Sequence, residues 1–85
     1  NTLAQAAAIA GLDDILYVEN AIETNKICIE KIKNTFVELG VEYVEPKANF
    51  IMVLFKSSIQ AQKFVEVCLE KNVITRYLSG FGIDN

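Results

Sequence analysis

The sequence predicts an α/β (α+β) fold of two layers, a short sheet of about three strands packed with a long helix and a second, amphipathic helix. Three observations predict it. Ile15, Ile22, Ile29 and Phe36 recur at every seventh position, one face of a long helix. Residues 48–55 form an apolar run bounded by Pro46 before and Ser57-Ser58 after, which reads as a strand. Ala61, Phe64, Val65, Cys68 and Leu69 then make an i, i+3, i+4, i+7, i+8 stripe, and a β-rich segment follows at 73–78.

Taken in order, Thr2-Leu3-Ala4-Gln5 matches a capping box, and the Ala-rich stretch after it favours a short helix over 1–12. Gly11 is expected to end or loosen that helix. Asp13 or Asp14 caps the next one, where an acidic group suits the N-terminus. Val18, Ile32 and Leu39 reinforce the seven-residue row, so a single connecting helix is expected over 13–40. Gly40 suits its C-terminal cap, with Val41 folding back on Phe36. The same spacing is also that of a short coiled coil, an alternative that the residues leave open.

Residues 41–85 hold the expected sheet and second helix. Residues 41–44 alternate weakly as a first strand, and Glu45-Pro46-Lys47 is a turn. In the second strand Ile51, Val53 and Phe55 fall on one face and Phe50, Met52 and Leu54 on the other, which predicts burial on both sides. Asn49 at its entrance is either a cap or a contact. Ser57-Ser58-Ile59-Gln60 is a capping box for the amphipathic helix, and Asn72 closes that helix in the left-handed conformation. If strands 48–55 and 73–78 pair in parallel, the crossover between them is right-handed.

Composition narrows the function. An 85-residue chain is one domain or a piece of one. It is 52% hydrophobic with a mean hydropathy of +0.27, high for so small a unit, so some apolar surface is expected to meet another domain or subunit. The net charge of −3 and the lack of a basic stripe argue against nucleic acid as a partner. No apolar run approaches the ~18 residues of a membrane span. A start without Met or a basic leader is expected of a chain cut from a longer, cytoplasmic protein. Cys28 and Cys68 match no metal or redox spacing and read as small buried hydrophobes in a reducing compartment. With no histidine, the chain has neither a His general base nor a His metal ligand.

Few residues are left to carry chemistry. Arg76 is the single arginine. Alternation puts it with Ile74 and Leu78, opposite Val73, Thr75 and Tyr77. It either clamps a carboxylate or phosphate, which a guanidinium fork suits, or is an edge-strand arginine that points to solvent or pairs with a local Glu. Gly80-Phe81-Gly82 lacks the strand-to-helix context of a phosphate loop and reads as a turn. Glu19, Glu23, Glu30, Lys26 and Lys33 read as a solvated helix face.

The segments Asn1-Thr2-Leu3-Ala4-Gln5-Ala6-Ala7-Ala8, Ala48-Asn49-Phe50-Ile51 and Val73-Ile74-Thr75-Arg76-Tyr77-Leu78, followed by Gly80-Phe81-Gly82-Ile83, resemble in order and spacing the C-terminal part of the histidinol-phosphate aminotransferases. These are fold-type-I enzymes dependent on pyridoxal phosphate. The resemblance covers nearly the whole chain and extends to threonine-phosphate decarboxylase. It implies a small aminotransferase C-terminal domain whose long helix joins it to the large domain of the same enzyme, itself a homodimer. It implies that Arg76 binds the acidic end of a phosphorylated amino-alcohol substrate. Asn49 falls in the family's Asn-aromatic signature and is the second substrate-binding candidate, with a structural part at the domain interface ahead of a catalytic one. The Schiff-base lysine, the phosphate cup and the acid that pairs with the pyridine nitrogen lie upstream in the family. The Arg-Ile-Thr/Ser-Ile-Gly strand lies downstream. This chain alone is therefore expected to hold no cofactor and no catalytic or metal-binding residue, and to leave one sheet edge unpaired. Beside a histidinol-phosphate enzyme stand two alternatives: a threonine-phosphate decarboxylase, and a non-catalytic module that associates through the long helix.

Overall fold

The computed structural model describes residues 1–83 and shows a small α+β unit of three helices and a two-stranded antiparallel sheet. The elements run α1 (Thr2–Asp13), α2 (Ile15–Leu39), β1 (Glu42–Val44), β2 (Met52–Leu54) and α3 (Ser58–Glu70), followed by a 3₁₀ turn at Ser79–Phe81.

Helix α1 starts one residue earlier than its capping-box pattern predicts. Asn1 is the cap: its Oδ1 accepts from the backbone N–H groups of Leu3 at 2.9 Å and Ala4 at 3.2 Å. An asparagine oxygen reaching two orphan donors outcompetes the neighbouring threonine. Gly11 does not end the helix either. Good helix formers carry it to Asp13, and the Gly11 carbonyl accepts from the N–H of Asp14. Asp14 in turn caps α2, its Oδ1 accepting from Tyr17 N at 3.1 Å. One residue thus closes one helix and opens the next, which makes an elbow.

Helix α2 runs unbroken for 25 residues, about seven turns. It ends as the sequence predicts. Gly40 takes φ +68°, its N–H donates to Val37, and Val41 N donates to the Phe36 carbonyl at 2.8 Å. This closure turns the chain back so that β1 packs on the last turns of α2. Phe36 meets Tyr43 with ring centroids 5.9 Å apart. Lys33 Nζ donates to Glu45 Oε1 at 2.7 Å and to Glu30 Oε1 at 3.4 Å. The Glu45 hydrogen bond raises the Lys33 pKa above its usual 10.5; partial desolvation opposes the rise and Glu30 adds to it.

Strand β2 pairs with β1 in the register Glu42↔Leu54, Tyr43↔Val53, Val44↔Met52. Two expectations fail here. The second strand is three residues long, because β1 offers only three partners and residues 47–49 bend. Met52, Val53 and Leu54 are half-buried, since a two-stranded sheet lacks the layers to enclose both faces. Nor do residues 73–78 form a third strand among the described residues, and Ile74 is 88% exposed. Residues 74–78 and β2 line one cavity of about 790 Å³, whereas a ladder needs backbones held about 4.8 Å apart along their length.

Helix α3 does follow its pattern. Ser57 Oγ accepts from Gln60 N, the first arm of the capping box, while Gln60 Oε1 reaches one residue further back and accepts from Lys56 N. Phe64 on this helix packs against Phe55 at 5.1 Å between centroids. Asn72 adopts φ +62°, and Val73 N donates to the Cys68 carbonyl. Ala61 is the one buried residue among those described, and with so thin a core Cys28 is exposed and Cys68 half-buried, where both were expected to be buried. The chain exposes 7189 Å², against about 5,000 Å² for a compact monomer of 9.5 kDa. Its radius of gyration is 16.7 Å, against about 12 Å for a compact chain of this length.

Candidate functional site

The apolar stripe of α3, the strand β2 and the irregular segment after α3 converge on the 790 Å³ cavity. Phe55, Phe64 and Leu78 are half-buried at its base, and Phe50 and Phe81 stand at its exposed edge. Phe81 arrives there through the Ser79–Phe81 turn, closed by Gly82 at φ +77°. The glycine-bracketed turn expected from sequence therefore also delivers an aromatic ring. The signal for it was Phe81 itself, a large apolar residue between two glycines.

Arg76 lines this cavity and is exposed. The alternation read from sequence holds in part: Ile74 and Arg76 are exposed and Thr75 and Tyr77 half-buried, but Val73, expected with the latter pair, is exposed. Leu78, expected on the Arg76 side, is half-buried as well. Among the described residues Arg76 makes no ion pair and no side-chain hydrogen bond; both ion pairs belong to Lys33. The local-Glu alternative for Arg76 therefore has no partner among the described residues, and its exposure is that of the solvent-facing alternative. Its five N–H donors stay available at the rim of an apolar hollow, which is how a binding site commonly presents one orienting polar group. Thr75 lies beside it with its hydroxyl oxygen buried and without a hydrogen-bond partner.

Asn49 sits elsewhere. It lies in the bend at 47–49, exposed, and lines a second groove with Tyr17, Val18, Ile22, Asn25 and Cys28 of α2. The two substrate-binding candidates therefore do not share a pocket. Phe50, next to Asn49, belongs to the Arg76 cavity, so the bend spans both.

Neither groove is lined by a lysine. Neither groove therefore offers an amine that could hold an aldehyde cofactor such as pyridoxal phosphate as a Schiff base. No three His, Cys, Asp or Glu side chains come together as a metal site among the described residues. Among those residues, no helix is long and apolar enough to cross a membrane.

Comparison with known proteins adds the family. The profile described as "Aminotransferase class I and II" matches residues 1–85. The chain is 33% identical over 84 residues to "Histidinol-phosphate aminotransferase 2" of Ralstonia nicotianae, covering 98% of this chain and 22% of that protein. It is 34% identical over 82 residues to "Histidinol-phosphate aminotransferase" of a Geobacillus species, covering 96% and 22%. It is 34% identical over 85 residues to "Histidinol-phosphate aminotransferase 1" of Mannheimia succiniciproducens, covering 100% and 23%. The chain thus spans under a quarter of the length of these relatives. No solved structure matches it significantly.

Proposed function

The chain belongs to the class I and II aminotransferases, and from that premise we propose that it is the C-terminal small domain of an enzyme that transaminates L-histidinol phosphate with 2-oxoglutarate in histidine biosynthesis. The observation that carries the reading is the uncommitted guanidinium of Arg76 at the edge of an aromatic cavity. A phosphate dianion takes two parallel N–H bonds from such a fork, and the apolar wall beside it sheds water from the rest of the ligand. The names of the relatives support a phosphorylated substrate.

Pyridoxal phosphate supplies the amino-group carrier chemistry of this enzyme class. This chain's share is to bind and orient. Arg76 holds the acidic end of the substrate. The bend containing Asn49 sits at the interface with the large domain, which contributes the Schiff-base lysine. By itself the chain neither binds the cofactor nor turns over. The enzyme that contains it is a cytoplasmic homodimer in this reading, with residues 1–12 and 13–40 leading from the large domain and 41–85 forming the small one.

The test is made on the full-length enzyme. It is offered histidinol phosphate with 2-oxoglutarate, and separately threonine phosphate. Glutamate formation with the first and no CO2 from the second is expected. Release of CO2 from threonine phosphate without amino transfer would assign the domain to the decarboxylase. No reaction with either would favour a non-catalytic module.

A further inference from the structure

We infer that Phe50 and Phe81 are specificity residues, which take the flat ring of a ligand whose anionic end Arg76 holds. The phenylalanines of this chain fall into two groups. Phe36 pairs with Tyr43, and Phe55 with Phe64. Phe50 and Phe81 have no ring partner among the described residues and are 69% and 71% exposed. Both line the Arg76 cavity. A lone exposed aromatic side chain needs no explanation, but here the two unpaired rings meet at one hollow. Arg76 is the one charged residue among those that line it, and no carboxylate does.

The chemistry of the ligand follows from these groups. A guanidinium with no acid beside it selects an anion. A free phenyl face selects a planar unsaturated ring, because the negative face of one ring attracts the positive edge of another, and a saturated ring lacks that quadrupole. The cavity volume of about 790 Å³ is that of a small-ligand site. Phe81 and Arg76 ride on the same segment after α3, and the Ser79–Phe81 turn brings the ring to the cavity edge. Phe50 arrives on the chain that leads into β2. The inference deepens the function proposed above and rests on it only for which ring is bound. Histidinol phosphate, in the names of the relatives, carries an imidazole at one end and a phosphate ester at the other. Threonine phosphate has no ring.

The test uses the full-length holoenzyme, in which the cofactor occupies its own phosphate site, and two probes of equal charge, phenyl phosphate and cyclohexyl phosphate. Binding is read by titration calorimetry. Phenyl phosphate is expected to bind about threefold to tenfold more tightly, although the saturated ring is the more hydrophobic. Phe50→Leu with Phe81→Leu keeps both side chains apolar and should bring the ratio close to one. Phe50→Tyr with Phe81→Tyr keeps both rings and should keep the ratio. Arg76→Gln should weaken both probes alike. Equal binding of the two probes by the wild type, a ratio that survives the leucine pair, or no binding of phenyl phosphate would overturn the inference. A melting temperature lowered in the leucine pair would assign the two rings to packing within the enzyme and overturn it too. Failure of the full-length enzyme to transaminate would remove the proposed function and leave the titration result standing.

Discussion

Replacing Arg76 separates a substrate clamp from a structural arginine, because the structure assigns it almost no structural work. It is exposed and makes no ion pair or side-chain hydrogen bond among the described residues. Its loss should therefore change stability by less than about 0.5 kcal/mol. A charge-assisted pair to phosphate contributes about 1.5–3 kcal/mol, so Arg76→Gln should raise the KM for histidinol phosphate about 10- to 150-fold. Arg76→Lys keeps the charge and loses the fork, and about half that free energy, or roughly fivefold in KM, should go. The clamp acts on ground state and transition state alike, so kcat should stay near its wild-type value. The assay is steady-state kinetics of the full-length enzyme with histidinol phosphate and with unphosphorylated histidinol, alongside thermal melts. The effect should appear with the phosphate ester and nearly vanish without it. Equal losses on both substrates, a wild-type KM for Arg76→Lys, or a fall in melting temperature that tracks the kinetic loss would refute the assignment.

Three further outcomes concern the scaffold. Gly40→Ala puts a Cβ where no heavy atom lies within 4 Å, so its cost is that of the φ +68° backbone alone. About 1–2 kcal/mol should be lost in urea unfolding followed at 222 nm, and less for Gly40→Asn. Thr75→Val removes a buried hydroxyl that has no partner and keeps the shape. It should raise the urea midpoint, by about 1 kcal/mol in free energy, and a fall would show that the hydroxyl is satisfied. Lys33 has a raised pKa in the folded chain, first through its hydrogen bond to Glu45. Its contribution is therefore complete below the usual 10.5 and fades as pH rises through the higher folded value. Glu45→Gln should lower the Lys33 pKa seen by NMR, and an unchanged titration would remove that pairing as the cause.

Local signals in the chain were legible because they act within a few residues. Gly40 and Asn72 both sit where a left-handed residue closes a helix, and both take positive φ. Ser57 caps its helix as the spacing predicts, with Gln60 reaching back to Lys56 N. The long helix follows from the Ile15-Ile22-Ile29-Phe36 row. The misses have local causes of the same kind. Asn1 stands beside Thr2 and is the better cap, and a single glycine at position 11 does not stop an alanine-rich helix. The strand at 48–55 was read too long because an apolar run reports hydrophobicity, whereas ladder length is set by the partner strand. The segment 73–78 has strand-like residues and no third place in the sheet.

The candidate site divides in the same way. Arg76 could be singled out from sequence as the single arginine in an apolar stretch. That it lines a cavity with no partner among the described residues, and that Asn49 lines a different groove, depends on how α3 and the bend at 47–49 bring distant residues together. By itself the sequence determined the helices, the caps of α2 and α3, the α+β class and the family, because periodicity, capping and motif order are properties of neighbouring residues. Only the tertiary structure decided the number of paired strands, the shape of the cavity and the degree of burial. Those depend on which surfaces meet, and in this chain most apolar side chains of α1 and α2 meet nothing of its own.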